Sequence, residues 1–323
     1  MDKLNWGILG TGLIAHEMAA ALQAVNGGIY AVCGTSLEKA EKFAQECGAE
    51  KAYGSAGEML LDENVDIVYI ATPHNSHYEW MLQSLKAGRH VFCEKSITVN
   101  SRQLEECVKL AEEKGLVICD GTTLLHMPLY KKLKQMISDG VIGDVKMIQV
   151  NFGSCKEYDV NNRFFSKDLA GGALLDIGVY AVTFARYFMK SRPDTVLTTA
   201  NYFETGVDET SGILLKNPDG EMAVVALTMR AKQPKRGVIA GEKGFIEISS
   251  YPRADRAVIT FTSDGHTEVI EEGESASALQ YEVQDMQDYV RSGNGAENLQ
   301  TVRDVMQTLT AVRNQWGLVY PFE

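Results

Sequence analysis

Gly7-Ile8-Leu9-Gly10-Thr11-Gly12-Leu13-Ile14-Ala15 is a glycine-rich turn set between a short apolar run and a helical pattern. Leu4–Leu9 reads as a buried strand and Ile14–Val25 as the helix after it. In that setting Gly10 makes the tight turn out of the strand, Gly12 lets the backbone approach a pyrophosphate, and Ala15 stands where helix and strand must pack. The first N–H groups of a helix have no intrahelical partner and suit phosphate oxygens. The stretch therefore predicts a bound dinucleotide contacted by Gly10, Thr11, Gly12, Leu13 and Ile14.

Outward from this turn, strand-like runs at Ile29–Cys33, Ile67–Ile70, Val91–Cys93 and Val117–Cys119 are separated by amphipathic stretches. Leu37, Ala40, Phe43 and Ala44 share one helix face, as do Leu104, Cys107, Val108 and Ala111. This alternation predicts an α/β domain over residues 1–121, a Rossmann-type doubly wound parallel sheet. Past residue 121 a helix near Tyr130–Ile137 gives way to long alternating strands at Val145–Phe152, Gly212–Leu215, Met222–Met229 and Val258–Thr262. Helical patterns follow at Gly172–Met189, Tyr281–Arg291 and Val302–Trp316. Residues 122–323 are thus expected to form a C-terminal α+β domain with an open-faced, mostly antiparallel mixed sheet.

Composition narrows the function. A net charge of −12 repels a phosphate backbone, which argues against nucleic acid as a partner. No signal-peptide pattern opens the chain, and no apolar run is read as long enough to span a bilayer, so a cytoplasmic protein without a membrane partner is expected. The six cysteines lie scattered without Cys-x-x-Cys spacing, and neither a disulfide nor a metal site is expected.

In a doubly wound sheet, ligands sit outside the carboxyl ends of the strands. After Ile70 comes Ala71-Thr72-Pro73-His74-Asn75-Ser76-His77, a proline-stiffened turn suited to covering the dinucleotide through Ala71, Thr72, Pro73, His74 and His77. After Cys93 comes Glu94-Lys95-Ser96, an acid–base pair placed to touch cofactor and substrate. A lysine there serves as proton donor or shuttle when partial burial and a positive ring nearby lower its pKa. Further on, Gly171-Gly172-Ala173-Leu174-Leu175-Asp176-Ile177-Gly178-Val179-Tyr180 puts Asp176 and Tyr180 four apart, on one face of a helix. An acid in so apolar a stretch needs a partner, and Lys95 is the natural candidate.

Taken together these residues resemble the glucose–fructose oxidoreductase, inositol dehydrogenase and rhizopine-catabolism (Gfo/Idh/MocA) family. The resemblance spans the chain and rests on Gly10–Ala15, Ala71-Thr72-Pro73 with His77, Ala87–Lys95, Gly171–Gly178, Gly241–Glu247 and Trp316–Pro321. It implies a Rossmann domain, an open sheet used for homodimer or homotetramer contacts, and hydride transfer at a hydroxyl-bearing carbon of a sugar, cyclitol or dihydrodiol. It assigns Lys95 as catalytic lysine, Asp176 as motif aspartate, and Tyr180 to a place held by histidine in many members and by tyrosine in those like dimeric dihydrodiol dehydrogenase. Arg163 falls where the family often has an arginine reaching cofactor or substrate; Lys95, His126, Tyr158, Asp176 and Tyr180 are the candidate substrate residues. Ser96 stands in place of the usual proline, and His126 in place of a common arginine.

The second strand ends in Cys33-Gly34-Thr35-Ser36, with no acid before Glu38 to take ribose hydroxyls. Thr35, Ser36 and Lys39 offer donors and charge to a 2′-phosphate, which favours NADP over NAD. Two alternatives share the motifs. One is glycosidic cleavage through transient oxidation and elimination, with His126 or Tyr158 as the added base; the other is a non-catalytic dinucleotide-binding regulator.

Overall fold

Strand β1 (Asn5–Leu9) has four buried residues in a row, as expected where a parallel sheet is covered on both faces. It opens the alternation α1 (Leu13–Ala24), β2 (Gly28–Cys33), α2 (Leu37–Cys47), β3 (Lys51–Tyr53), α3 (Ala56–Leu61), β4 (Ile67–Ile70), α4 (His74–Lys86), β5 (His90–Cys93), α5 (Ser101–Lys114) and β6 (Ile118–Asp120) in the computed structural model, which describes residues 3–293 and 295–323. The six strands lie in the order β3-β2-β1-β4-β5-β6, all parallel, so the crossover direction reverses at β1. Helix starts and stops follow local chemistry: Ser36 and Asn100 cap α2 and α5, and left-handed Gly48 and Gly115 end them. The stretch read as a turn through His77 is shorter than expected, because Pro73 pre-sets the backbone for a helix and α4 starts at His74.

The short edge strand β3 is pinned by one carboxylate. Asp62 Oδ2 accepts from Lys51 Nζ at 2.9 Å, Tyr53 Oη at 2.6 Å and Tyr30 Oη at 3.0 Å, while Oδ1 takes the backbone and side-chain N–H groups of Asn64. These donors, Lys51 first, hold the Asp62 carboxyl far below the usual carboxylate range.

The second sheet has eight strands in the order β14-β13-β12-β11-β7-β10-β9-β8, and only the β7–β10 pair is parallel. Its members are β7 (Val145–Gly153), β8 (Thr195–Tyr202), β9 (Asp208–Lys216), β10 (Met222–Thr228), β11 (Gln233–Gly241), β12 (Gly244–Ser249), β13 (Arg256–Phe261) and β14 (Thr267–Glu271), with α6 (Pro128–Ser138) before them and α7 (Val179–Phe188) inserted after β7. One face buries Ile148, Val150, Ala223, Val225, Ile239, Ile246 and Ile259; α7 packs on it, with Phe184 so close to Gly237 that a Cβ there would stand 2.2 Å from the ring. Across the other face the register aligns Leu197, Leu214, Val224, Gln149, Val238, Glu247, Val258 and Val269 in one row, with Leu197 and Val224 exposed. The run 167–188 has the length and hydropathy to cross a membrane, contrary to the sequence reading, but 83% of its apolar window is buried as core.

Two helices, α8 (Ala278–Ser292) and α9 (Ala296–Trp316), follow the sheet. Packing divides the chain into one unit of residues up to Gly121 with Leu279–Gln300, and another of Thr122–Ala278 with Thr301–Glu323. The sequence places 279–300 with the C-terminal domain; instead its stripe Leu279, Val283 and Met286 joins the core of Trp6, Ile8, Tyr69 and Phe92. In the second unit the Arg186–Asp304 pair at 2.7 Å ties α9 to α7.

Replacing Asp62 by Asn should cost about 1–3 kcal/mol of stability at neutral pH, the scale of lost hydrogen bonds to a charged group. Because the folded-state pKa is depressed, this stabilisation exists above the ordinary carboxylate pKa and is lost as pH falls below about 4. Thermal unfolding of both proteins at pH 7 and pH 3 should show the difference shrinking in acid.

Candidate active site

The first unit builds a phosphate-binding turn at the reversal point of its sheet. Gly10 has φ +118° and donates to Cys33 O at 2.9 Å, and a Cβ on it would stand 2.7 Å from the carbonyl oxygen of Ala71. Both the backbone angle and the space admit glycine alone. Gly12 opens α1 with no side-chain cap and no acid in the first turn, and a Cβ there would meet nothing within 4 Å. Uncapped N–H groups at the start of a 12-residue helix, approached past a bare glycine, are the donor set a dinucleotide pyrophosphate requires. Thr11, Leu13 and Ile14 flank this opening, with Leu13 79% exposed. At the end of β2, Lys39 Nζ donates to Thr35 Oγ1 at 3.1 Å and Ser36 caps α2, so the three polar residues read as a 2′-phosphate site stand together.

Along the same rim, β4 and β5 deliver the turn that carries Lys95. Ala71 N–H continues the ladder to Leu9 O at 2.9 Å, and Glu94 N–H bonds Ile70 O at 3.0 Å. Glu94 turns inward: its Oε1 accepts from Tyr69 Oη at 2.6 Å and its Oε2 from the Lys95 N–H at 3.3 Å. Burial pushes the Glu94 carboxyl up, against the Tyr69 hydrogen bond and the Lys95 charge, which pull it down. Burial also raises the Tyr69 phenol well above its ordinary value, so it stays a donor. The Lys95–Ser96 peptide is cis. His74 Nε2 meets Lys95 O at 3.1 Å; His77, fully buried, meets Ser96 O at 2.9 Å and Thr72 O at 2.8 Å. The two histidines read as cofactor contacts also brace the turn after β4 against the turn after β5. Lys95, within that braced turn, is half-buried.

The second unit holds Asp176 and Tyr180. Leu174–Gly178 is a single π-helical turn running into α7, with Asp176 6% exposed and Tyr180 half-buried. Such a wide turn inside a helix is frequent at functional sites. Within this unit Asp176 Oδ2 lies 4.0 Å from Lys156 Nζ, which also sits 3.6 Å from the centre of the Phe164 ring. The sequence offered Lys95 as the counter-charge and overlooked Lys156, which lies just beyond the end of β7 and is marked only by its contact with Asp176. Tyr180 packs against Phe152, ring centres 6.2 Å apart.

Other candidates stand elsewhere. Tyr158 stacks on Phe203 at 5.2 Å and donates to Glu204 Oε1 at 3.0 Å, which places it in a packing cluster with Phe165. His126 is 1% exposed, at the end of the short helical turn Thr123–Leu125. Arg163 is exposed, its guanidinium 4.1 Å from the Phe164 ring centre.

A dinucleotide turn in one unit, with a braced lysine on the same rim, and a buried acid beside a tyrosine in the other define the class of a nicotinamide-dependent oxidoreductase. Residues 4–122 match the oxidoreductase family with an NAD-binding Rossmann fold, and residues 130–247 match the GFO/IDH/MocA C-terminal domain. The chain belongs to the Gfo/Idh/MocA family. It is 32% identical over 329 residues to the trans-1,2-dihydrobenzene-1,2-diol dehydrogenase of Xenopus laevis, covering 98% of this chain and 99% of that protein. The Mus musculus enzyme of the same name is 33% identical over 251 residues, 76% of this chain and 74% of that one. The fold is shared with KijD10, a 3-ketoreductase from Actinomadura kijaniata solved with NADP and TDP-benzene (TM-score 0.85, 24% identity, 97% and 98% of the chains), and with levoglucosan dehydrogenase solved with NADH and levoglucosan (TM-score 0.90, 19% identity, 98% of each).

Tyr69→Phe removes a donor that favours ionised Glu94, so the carboxyl should titrate higher still. The acid limb of kcat/KM should move to higher pH, with a stability loss of about 1–3 kcal/mol in denaturant unfolding.

Proposed function

We propose that this enzyme transfers a hydride between NADP and the hydroxyl-bearing carbon of a small vicinal diol, sugar or cyclitol. The observation that carries this reading is the Lys95 turn: Tyr69, Glu94, His74 and His77 hold it at the strand ends of the dinucleotide-binding unit. The diol is supported by relatives of nearly full length named for trans-1,2-dihydrobenzene-1,2-diol. Bound nicotinamide supplies the hydride acceptor or donor. The chain's own residues manage the proton: in oxidation, Lys95 Nζ and Tyr180 Oη share the proton leaving the substrate hydroxyl, and in reduction they return it. Asp176 orients these groups and accepts from a substrate hydroxyl, with Lys156 Nζ 4.0 Å from its Oδ2 as the neighbouring counter-charge. Arg163 lies along the same loop and contacts cofactor or substrate in this reading.

NADP is favoured because Thr35, Ser36 and Lys39 stand together at the end of β2 and no acid precedes Glu38 to repel a 2′-phosphate. The open sheet face, with its aligned row of Leu197, Leu214, Val224, Val238, Val258 and Val269, supports a homodimer or homotetramer, which a monomer in sedimentation would contradict.

Nicotinamide absorbance, followed with a panel of dihydrodiols, sugars and cyclitols, tests the reading. Turnover should require Lys95 and vanish in Lys95→Ala. NADPH should bind at least about tenfold more tightly than NADH, and Lys39→Glu should erase that margin, as expected for loss of a charged hydrogen bond to phosphate. Release of a leaving group without net cofactor turnover would favour the elimination reading, and a preference for NADH would overturn the cofactor assignment.

A further inference from the structure

Asp208 opens β9 and is completely buried. Its Oδ2 accepts the Leu174 N–H at 2.7 Å, and the backbone N–H groups of Ala173 and of Asp208 itself also serve the carboxylate. Its Oδ1 has no hydrogen-bond partner and lies against Gly172, where a Cβ would stand 2.2 Å from that oxygen. Gly172 moreover has φ +117°, a conformation that suits glycine. Its neighbour Gly171 is as confined: a Cβ there would stand 2.7 Å from the carbonyl oxygens of both Arg163 and Phe164, and its own carbonyl accepts from Tyr320 Oη at 2.8 Å. The glycine pair in the Gly171–Tyr180 stretch is therefore a slot into which a carboxylate from β9 is fitted. The N–H groups it takes are those that open the π turn carrying Asp176 and leading to Tyr180.

We propose that Asp208 is a positioning residue for the hydride-transfer reaction: from inside the fold its carboxylate caps the Gly171–Gly178 turn and so fixes where Asp176 and Tyr180 stand. The proposal rests on the roles given to those two residues above. A buried carboxylate with one oxygen unpartnered is a costly way to hold a turn, and a neutral side chain would hold a purely structural turn at less expense. The groups facing it are Arg313 of α9, Tyr320 and Glu323 of the closing segment, and Tyr202 of β8. Arg313 is itself held by Leu318 O at 3.0 and 3.2 Å and by Glu323. Burial outweighs the N–H donors and Arg313, and pushes Asp208 up to about 7. The charged form grips the N–H groups more strongly, so the turn is best held above that pH. Stability runs the other way. The folded-state pKa lies above the ordinary carboxylate value, so the neutral acid favours the fold, and this contribution is lost as pH rises through about 7.

The test compares wild type with Asp208→Asn and Tyr320→Phe, measuring kcat, KM, NADPH affinity and thermal midpoint from pH 5.5 to 8.5, roughly 1.5 units either side of a group titrating near neutrality. In wild type, kcat should rise and the thermal midpoint fall across the same window. Asp208→Asn should flatten both trends and lower kcat on the order of 10- to 100-fold, the cost of a small displacement of catalytic groups, with NADPH affinity unchanged. Tyr320→Phe buries no new polar group and should lower kcat more mildly while keeping the pH trend. An Asp208→Asn enzyme with wild-type kcat and pH profile would overturn the proposal. If Asp208→Asn does not fold, unaltered kcat in Tyr320→Phe together with a flat wild-type profile would overturn it. A wild type inactive on every substrate would instead sink the underlying reading, and the proposal with it.

Discussion

The constraint on which the rest of the first unit depends is the approach of two backbones where β1 and β4 end. Gly10 passes so near the carbonyl of Ala71 that even one methyl group would stand 2.7 Å from the oxygen. That contact forces the chain leaving β1 to bend at once into α1, whose uncapped N–H groups then face outward at the sheet's reversal point. It also fixes the height at which Thr72 and Pro73 emerge, and through His77 the height of the Lys95 turn. The glycine turn and the Lys95 turn are thus set by one sheet edge, with little freedom to drift apart.

Each unit uses a buried carboxylate to hold a backbone turn that carries candidate site residues. Glu94 accepts from Tyr69 and from the N–H of Lys95, and Asp208 accepts from the N–H that opens the turn of Asp176. Both acids are pushed up by burial, in Glu94 against a phenol donor and a neighbouring ammonium. A carboxylate offers several acceptor positions in a small volume, which lets one side chain organise backbone donors that a helix or strand ladder leaves unserved. The cost is sensitivity to pH, and it falls on the segments that carry Lys95 and Asp176.

How much could be read from the sequence depended on how local the signal was. The glycine turn, the β1–α1 unit and the alternation to residue 121 are patterns of neighbouring residues, and the structure repeats them within a residue or two. Strand β3 escaped because three residues beginning with an exposed lysine carry no periodicity, and β8 because neither of its faces is fully buried. The place of 279–300 was not legible either, since the stripe Leu279, Val283 and Met286 shows that the helix buries one face but not against which sheet. Among the candidate residues, Lys95, Asp176 and Tyr180 were visible as polar residues at strand ends or in apolar helix. Lys156 and Asp208 were not, because what marks them is a contact across the second unit, with Asp176 in one case and Gly172 and Leu174 in the other.

Isotope transfer tests the central claim most directly. NADPH deuterated on the transferring face of C4 would be incubated with the carbonyl form of a substrate that the enzyme turns over, and the product examined by mass spectrometry and proton NMR. Direct hydride transfer predicts one deuterium on the new carbinol carbon and none from deuterated solvent at that carbon. Product without the label, or label retained in the cofactor while a glycosidic bond breaks, would contradict the account.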